Sequence, residues 1–204
     1  MLSAHVEFDR REKEIDEYIT YLEKLEREAG FSVTLINTMK SSTLLMIYNM
    51  VESTMTNLLQ DVFDHMEAAQ VDFSSLNDTM KTVVLTYTKK RNPEKLVEKM
   101  GANAINLVVA SFDRSDLFSG NIDCKKIVDT LGELGIQPRQ RYKEPAFLTV
   151  KTERNHLAHG HKSFSDCGRT YSMADLRLFH SKVRGILAKV ANDFETFLTS
   201  ASYS

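Results

Sequence analysis

Apolar residues recur at helical spacing along most of this chain, and strict alternation is hard to find. Ile15, Tyr18, Leu22 and Leu25 step by three and four through a charged segment, which predicts an amphipathic helix ending near Gly30. A second helix is expected over residues 35–69, with Ile36, Met39, Ile47, Met50, Val51, Thr54, Leu58, Val62 and Met66 as its stripe. Leu44, Met55, Leu59 and Phe63 widen that stripe, so the helix should have neighbours on more than one side. Met46, Met50 and Met55 read as core filler. Residues 74–90 can hold one helix with Met80, Val83, Val84 and Tyr87 inward, broken at Asn92-Pro93. Pro93 suits the first turn of a short helix through Met100, and the apolar stretch 103–112 reads as helix.

The second half is similarly patterned. Asn121 is expected to cap a helix over residues 122–134, stopped by Gly135. Residues 137–143 form a basic connector. Glu144-Pro145 opens a helix with Phe147, Leu148, Val150 and Leu157 as apolar members, closed by Gly160. Residues 161–171 read as a loop. Ser172-Met173-Ala174-Asp175 has capping-box spacing, with Asp in the usual Glu position. Leu176, Phe179, Val183, Leu187, Val190, Phe194 and Phe197 then form a narrow, sustained stripe. These elements predict one all-α domain over residues 1–204, an up-down bundle with two long N-terminal helices, a less regular middle and a C-terminal helical hairpin.

Composition narrows the functional classes. A chain of 204 residues can bury its own core without disulfide or metal staples. Its formal charge of −2 argues against coating nucleic acid by bulk charge. The basic residues Arg139, Arg141, Lys143, Lys151, Arg154 and Lys162 still give a local positive field around the helix end. The charge-rich run from Asp9 to Glu28 reads as a solvated face with local ion pairs. Cys124 and Cys167 form no CxxC pair, a usage that fits a reducing compartment. No N-terminal signal pattern and no apolar run of about 18 to 20 residues is present, so a cytoplasmic protein without membrane association is expected.

The chemistry concentrates in Lys151-Thr152-Glu153-Arg154-Asn155-His156-Leu157-Ala158-His159-Gly160-His161. Arginine clamps phosphate through paired hydrogen bonds, and histidine moves protons near neutral pH. Arg154 and His159 lie roughly 140° apart on an ideal helix at about 100° per residue, so they converge only if His159 sits where the helix unwinds. Asn155 can orient the histidine or hold a phosphate oxygen. Lys151, His156, His161 and Lys162 are candidate substrate contacts. Glu52, one turn after Tyr48, is a further candidate that could reach Arg154 or a histidine; the competing expectation is a solvent-facing acid on a helix rim. Other readings of the run are helix-end capping by cations and a metal site of His156, His159, His161 and Cys167, although the spacing fits no standard zinc pattern. No Gly-rich phosphate loop, GxSxG or HExxH is present.

Arg154-Asn155-His156-Leu157-Ala158-His159 resembles the Arg-x4-His signature of the HEPN superfamily. The segment Leu45 to Thr54 is similar to the second helix of its prokaryotic MAE-type group. The resemblance implies a metal-independent, cofactor-free ribonuclease that dimerises with two motifs facing one cleft. It also implies a role as a toxin or defence effector, with a possible antitoxin or defence-system partner. Arg154 would neutralise the scissile phosphate, His159 would transfer protons and Asn155 would position one of them. The chemistry is self-consistent, because RNA carries its own 2′-hydroxyl nucleophile. A non-catalytic RNA- or nucleotide-binding or protein-interaction module is the alternative.

Overall fold

The computed structural model describes residues 2–28, 30–89, 121–138 and 141–204. They form seven α-helices and one 3-10 turn, without strands. The expected helix at 93–100 and the apolar stretch 103–112 lie outside the described residues, as does Arg139 of the basic connector.

Helix α1 (Ser3–Arg27) packs along α2 (Val33–Ala68). The α1 core positions are Ile15, Ile19, Leu22 and Leu25, extended by Ala4 and Phe8 toward its start. Its first turn has no local side-chain cap. Instead the carboxylate of Asp61, on α2, accepts from the Ser3 amide (3.2 Å), the Ser3 hydroxyl (2.6 Å) and the Ala4 amide (2.9 Å). An anion thus meets the positive end of the helix dipole and satisfies its orphan N–H groups.

The wide stripe of α2 buries residues toward α1, α5 (Pro145–Ala158), α6 (Phe164–Arg169) and α7 (Met173–Thr199). This is the central helix that the breadth of its apolar face requires. The 3-10 turn Phe73–Ser75 leads into α3 (Asp78–Lys89), which buries Met80, Val83 and Val84. Helix α4 (Cys124–Glu133) follows.

Several boundaries differ from expectation. Asp123, not Asn121, caps α4, its side chain accepting from the Lys126 amide; the Asn121 side-chain oxygen instead accepts from the Asn155 side-chain amide. Leu148 is 58% exposed rather than core. Phe179 is only partly buried. Residues 161–171 are not all loop, because Ser163 caps the short helix α6 by accepting from the Asp166 amide. That helix carries too few apolar residues to show a period, yet it packs closely on α2. The Ser41 hydroxyl donates to the Phe164 carbonyl (2.5 Å). A Cβ added at Gly168 would lie 1.8 Å from the Asn37 carbonyl oxygen.

The capping box at Ser172 and Asp175 forms in both directions and starts α7. Arg177 of α7 then reaches Asp16, Thr20 and Glu23 of α1, and Arg184 pairs with Glu12 (3.1 Å). The charged face of α1 therefore carries local pairs such as Arg10 with Glu14 (2.8 Å) and also bonds the chain's first and last described helices.

Candidate active site

The run of motif residues ends α5 by a defined device. His159 is the C-cap, and Gly160 adopts φ +68°. The His161 amide donates back to the His156 carbonyl (2.8 Å) and the Gly160 amide to the Leu157 carbonyl (3.2 Å). This is a Schellman turn, which needs a residue tolerant of the left-handed region at the glycine position. It leaves His159 and His161 exposed, their ring centroids 5.8 Å apart, with His156 and His161 at 6.1 Å.

Arg154 is partly buried on the other side of the helix. Its guanidinium carbon sits 5.2 Å from the ring centroid of Tyr48, a cation–π contact from α2. One Nη1–H donates to the Asn155 side-chain oxygen (3.1 Å), and the Asn155 amide donates to Asn121 (3.1 Å). Asn155 and His159 are one helical turn apart, joined by the His159 amide to Asn155 carbonyl bond (3.0 Å). Asn155 therefore links the guanidinium to Asn121 on one side and stands one turn before His159 on α5.

The Tyr48 hydroxyl accepts from the buried Ile122 amide (2.9 Å) and donates to Glu52 (3.5 Å). Glu52 is partly buried and borders an open cleft between α1 and α2. Burial, reinforced by the nearby Glu52 charge, pushes the Tyr48 pKa up to about 12, against the opposing effects of the Ile122 amide and Arg154. The unfolded phenol ionises at about pH 10. The stabilisation from its neutral form is therefore complete below that pH and is lost as pH rises through about 12. Tyr48→Phe strands the Ile122 N–H and should cost about 1–3 kcal/mol. In urea unfolding across alkaline pH, the variant should also show a smaller loss of stability than wild type in that window, the remainder coming from Tyr18 and Tyr171, which burial also pushes up.

A second cluster surrounds Glu153, which is 6% exposed. Its carboxylate accepts from Lys162 Nζ (2.8 and 2.9 Å), Tyr171 (3.1 Å) and the Cys167 thiol (3.3 Å), with His156 Nδ1 at 3.4 Å. Burial alone would raise its pKa, but the Lys162 ammonium and the other donors outweigh burial and hold it below the usual glutamate range. Its contribution to stability is thus present above the ordinary glutamate pKa and lost as pH falls through the lowered one. Glu153→Gln should cost about 1.5–3 kcal/mol, read as a lower urea midpoint at neutral pH, with the difference from wild type closing in acid. The cluster holds the end of α5 against α6 and the start of α7.

Two candidate substrate contacts are thus engaged by carboxylates: Lys162 by Glu153, and Lys151 by Asp123 (2.5 Å). His156 and Cys167, members of the metal reading, both turn to Glu153. Among the described residues, no group of three or more His, Cys, Asp or Glu side chains is placed to hold a metal ion. No helix of the described residues is long and apolar enough to cross a membrane.

Residues 4–203 match the family described as MAE_28990-like HEPN. The chain belongs to that HEPN family. No curated protein and no solved structure gives a significant match. The all-helical architecture is that of the HEPN fold.

Two residues of this HEPN protein, Glu153 and Asp123, were not singled out by sequence pattern. Glu153 lies inside the motif run, and its i,i+3 spacing to His156 was the available signal. Asp123 lies far from the motif in sequence, and nothing local announces its contact with Lys151. Asn121 was read as a helix cap and Tyr48 as a neighbour of Glu52, and neither contact with the motif, to Asn155 and to Arg154, was announced by the sequence.

Proposed function

We propose that this HEPN protein is a metal-independent endoribonuclease, acting as one domain through Arg154, Asn155 and His159. One observation carries the proposal. The Arg154 guanidinium donates to the side chain of Asn155, which sits one helical turn before the exposed His159 on α5. A phosphodiester lying there meets a cation with free N–H groups and an imidazole in water. The 2′-hydroxyl attacks phosphorus after losing its proton to one imidazole. The 5′ oxygen then leaves with a proton from a second imidazole, and Arg154 balances charge on the phosphorane.

A homodimer supplies the second imidazole. The 58% exposed Leu148 supports this arrangement, because Leu148, Thr152, Asn155 and His159 recur at helical spacing along one face of α5. Such an enzyme acts in the cytoplasm as a toxin or defence effector, held in check by an antitoxin or a defence-system protein.

The test is incubation of the purified protein with total RNA in EDTA. Cleavage is expected to persist, to leave 2′,3′-cyclic phosphate and 5′-hydroxyl ends, and to spare DNA, which lacks the attacking group. Wild-type protein of native fold that binds RNA without cutting it would establish the second reading, a binding module. The observation favouring that reading is that Lys151 and Lys162 are both engaged by carboxylates.

A further inference from the structure

The turn that joins α1 to α2 borders a pocket of about 280 Å³. Drug-sized ligands occupy roughly 300–1,000 Å³, so an occupant here is smaller. Leu25 of α1 and Ile36, Asn37 and Lys40 of α2 form its deep wall, each 6% or 7% exposed. Phe31 and Val33, 42% and 74% exposed, form an apolar rim.

Asn37 is the residue that points to a ligand. It is buried and lines the pocket, yet among the described residues its carboxamide has no hydrogen-bond partner. A carboxamide carries two donors and an acceptor, and a buried one is nearly always paired. The pocket is the space from which a partner can reach it. Lys40, one turn further along the same face of α2, pairs with Glu26, which leaves its ammonium with further N–H donors.

The two walls of the pocket carry opposite charge. The α1 wall is the negative end of a helix dipole and brings the carboxylates of Glu26 and Glu28; Lys24 and Arg27 of that last turn do not line the pocket. The α2 wall is the positive end of a dipole, with no side-chain cap at Ser32, and brings Lys40. Two carboxylates against one ammonium disfavour a simple anion. The buried Lys40 disfavours a simple cation.

We propose that this pocket binds a free α-amino acid with an apolar side chain. Its carboxylate accepts from Asn37 and Lys40 on the α2 wall. Its ammonium donates to Glu26 and Glu28 on the α1 wall. Its side chain lies on Leu25, Ile36, Phe31 and Val33. A ligand held this way ties the end of α1 to the start of α2 and stabilises the folded chain by mass action.

The experiment titrates L-leucine into the full-length protein by calorimetry, beside three analogues that each lack one feature. Isocaproate lacks the ammonium, isoamylamine lacks the carboxylate and glycine lacks the apolar side chain. L-leucine is expected to bind saturably and raise the melting temperature. Each analogue is expected to bind about 10-fold or more weakly, the usual cost of one lost charged hydrogen bond or buried side chain. D-leucine, which cannot place all three groups at once, should be weaker as well. Asn37→Ala should weaken L-leucine by about 10-fold or more while leaving the melting temperature of the ligand-free protein unchanged, since it breaks no bond. Val33→Ser, at an exposed position, should weaken L-leucine several-fold.

Absence of saturable binding by both L-leucine and L-phenylalanine overturns the assignment. So does binding of isocaproate or isoamylamine as tight as that of L-leucine, or wild-type affinity in Asn37→Ala. A change of self-association in Val33→Ser by light scattering, without L-leucine binding to the wild type, assigns the rim to a protein contact and overturns it too.

Discussion

His159→Ala is expected to slow RNA cleavage by about 10²–10⁴-fold, the usual contribution of a positioned acid or base. The side chain is exposed beyond the last turn of α5, so its removal should leave the melting temperature unchanged. Arg154→Ala should cost about 10²–10³-fold, comparable to the loss of one charge-stabilising donor. It should also destabilise the protein slightly, because the guanidinium covers the Tyr48 ring. Arg154→Lys keeps the charge but loses the planar fork and the stacking, and is expected to recover little activity. The double variant should be scarcely worse than the poorer single one, since groups acting on one transition state are not additive. Single-turnover rates on a defined RNA in EDTA check all of these. If two subunits share each cleft, mixing Arg154→Ala with His159→Ala protein restores part of the rate. Full activity of His159→Ala would exclude the imidazole from the chemistry.

Gly168→Ala is expected to lower stability by about 3 kcal/mol, the upper part of the range for overpacked sites. The added methyl would sit 1.8 Å from a backbone oxygen of Asn37, and a backbone carbonyl inside α2 cannot swing aside. Helix α6 would have to lift, and with it the Ser41–Phe164 hydrogen bond and the Cys167 contact to Glu153. Gly185→Ala is the control. Gly185 lies in α7 with nothing within 4 Å of the added carbon, so the same substitution there should stabilise by about 0.5–1 kcal/mol through helix propensity. Opposite signs in urea melts of the two variants would show that contact, not glycine flexibility, governs residue 168.

The legible parts of this molecule are those governed by period and by caps. The stripe from Ile36 to Met66 marks a long central helix because burial repeats every turn. Gly160 marks the end of α5, and Ser172 with Asp175 marks the start of α7, because those residues satisfy orphan backbone groups locally. The illegible parts depend on partners distant in sequence. Helix α6 has six residues, too few to show a period, and owes its place to Gly168 and Ser41. Leu148 looked like core because it shares a helix with Phe147 and Val150, yet it points to solvent on the face that carries Asn155. At the candidate site, the residue types of Arg154, Asn155 and His159 were readable from composition and family likeness. The Tyr48 platform and the Glu153 cluster were not, since both join residues brought together only by folding.

The Asp61 carboxylate that receives the Ser3 and Ala4 amides has a kinetic consequence. The first turn of α1 has no cap of its own and borrows one from a residue 58 positions away. That turn cannot lock until α2 has formed and docked, so it belongs among the late events of folding rather than the nucleating ones. Deuterium uptake at the Ser3 and Ala4 amides therefore reports directly on separation of α1 from α2. Asp61→Asn should accelerate exchange at that end while the middle of α1, locked by Ile15, Ile19 and Leu22, exchanges as before.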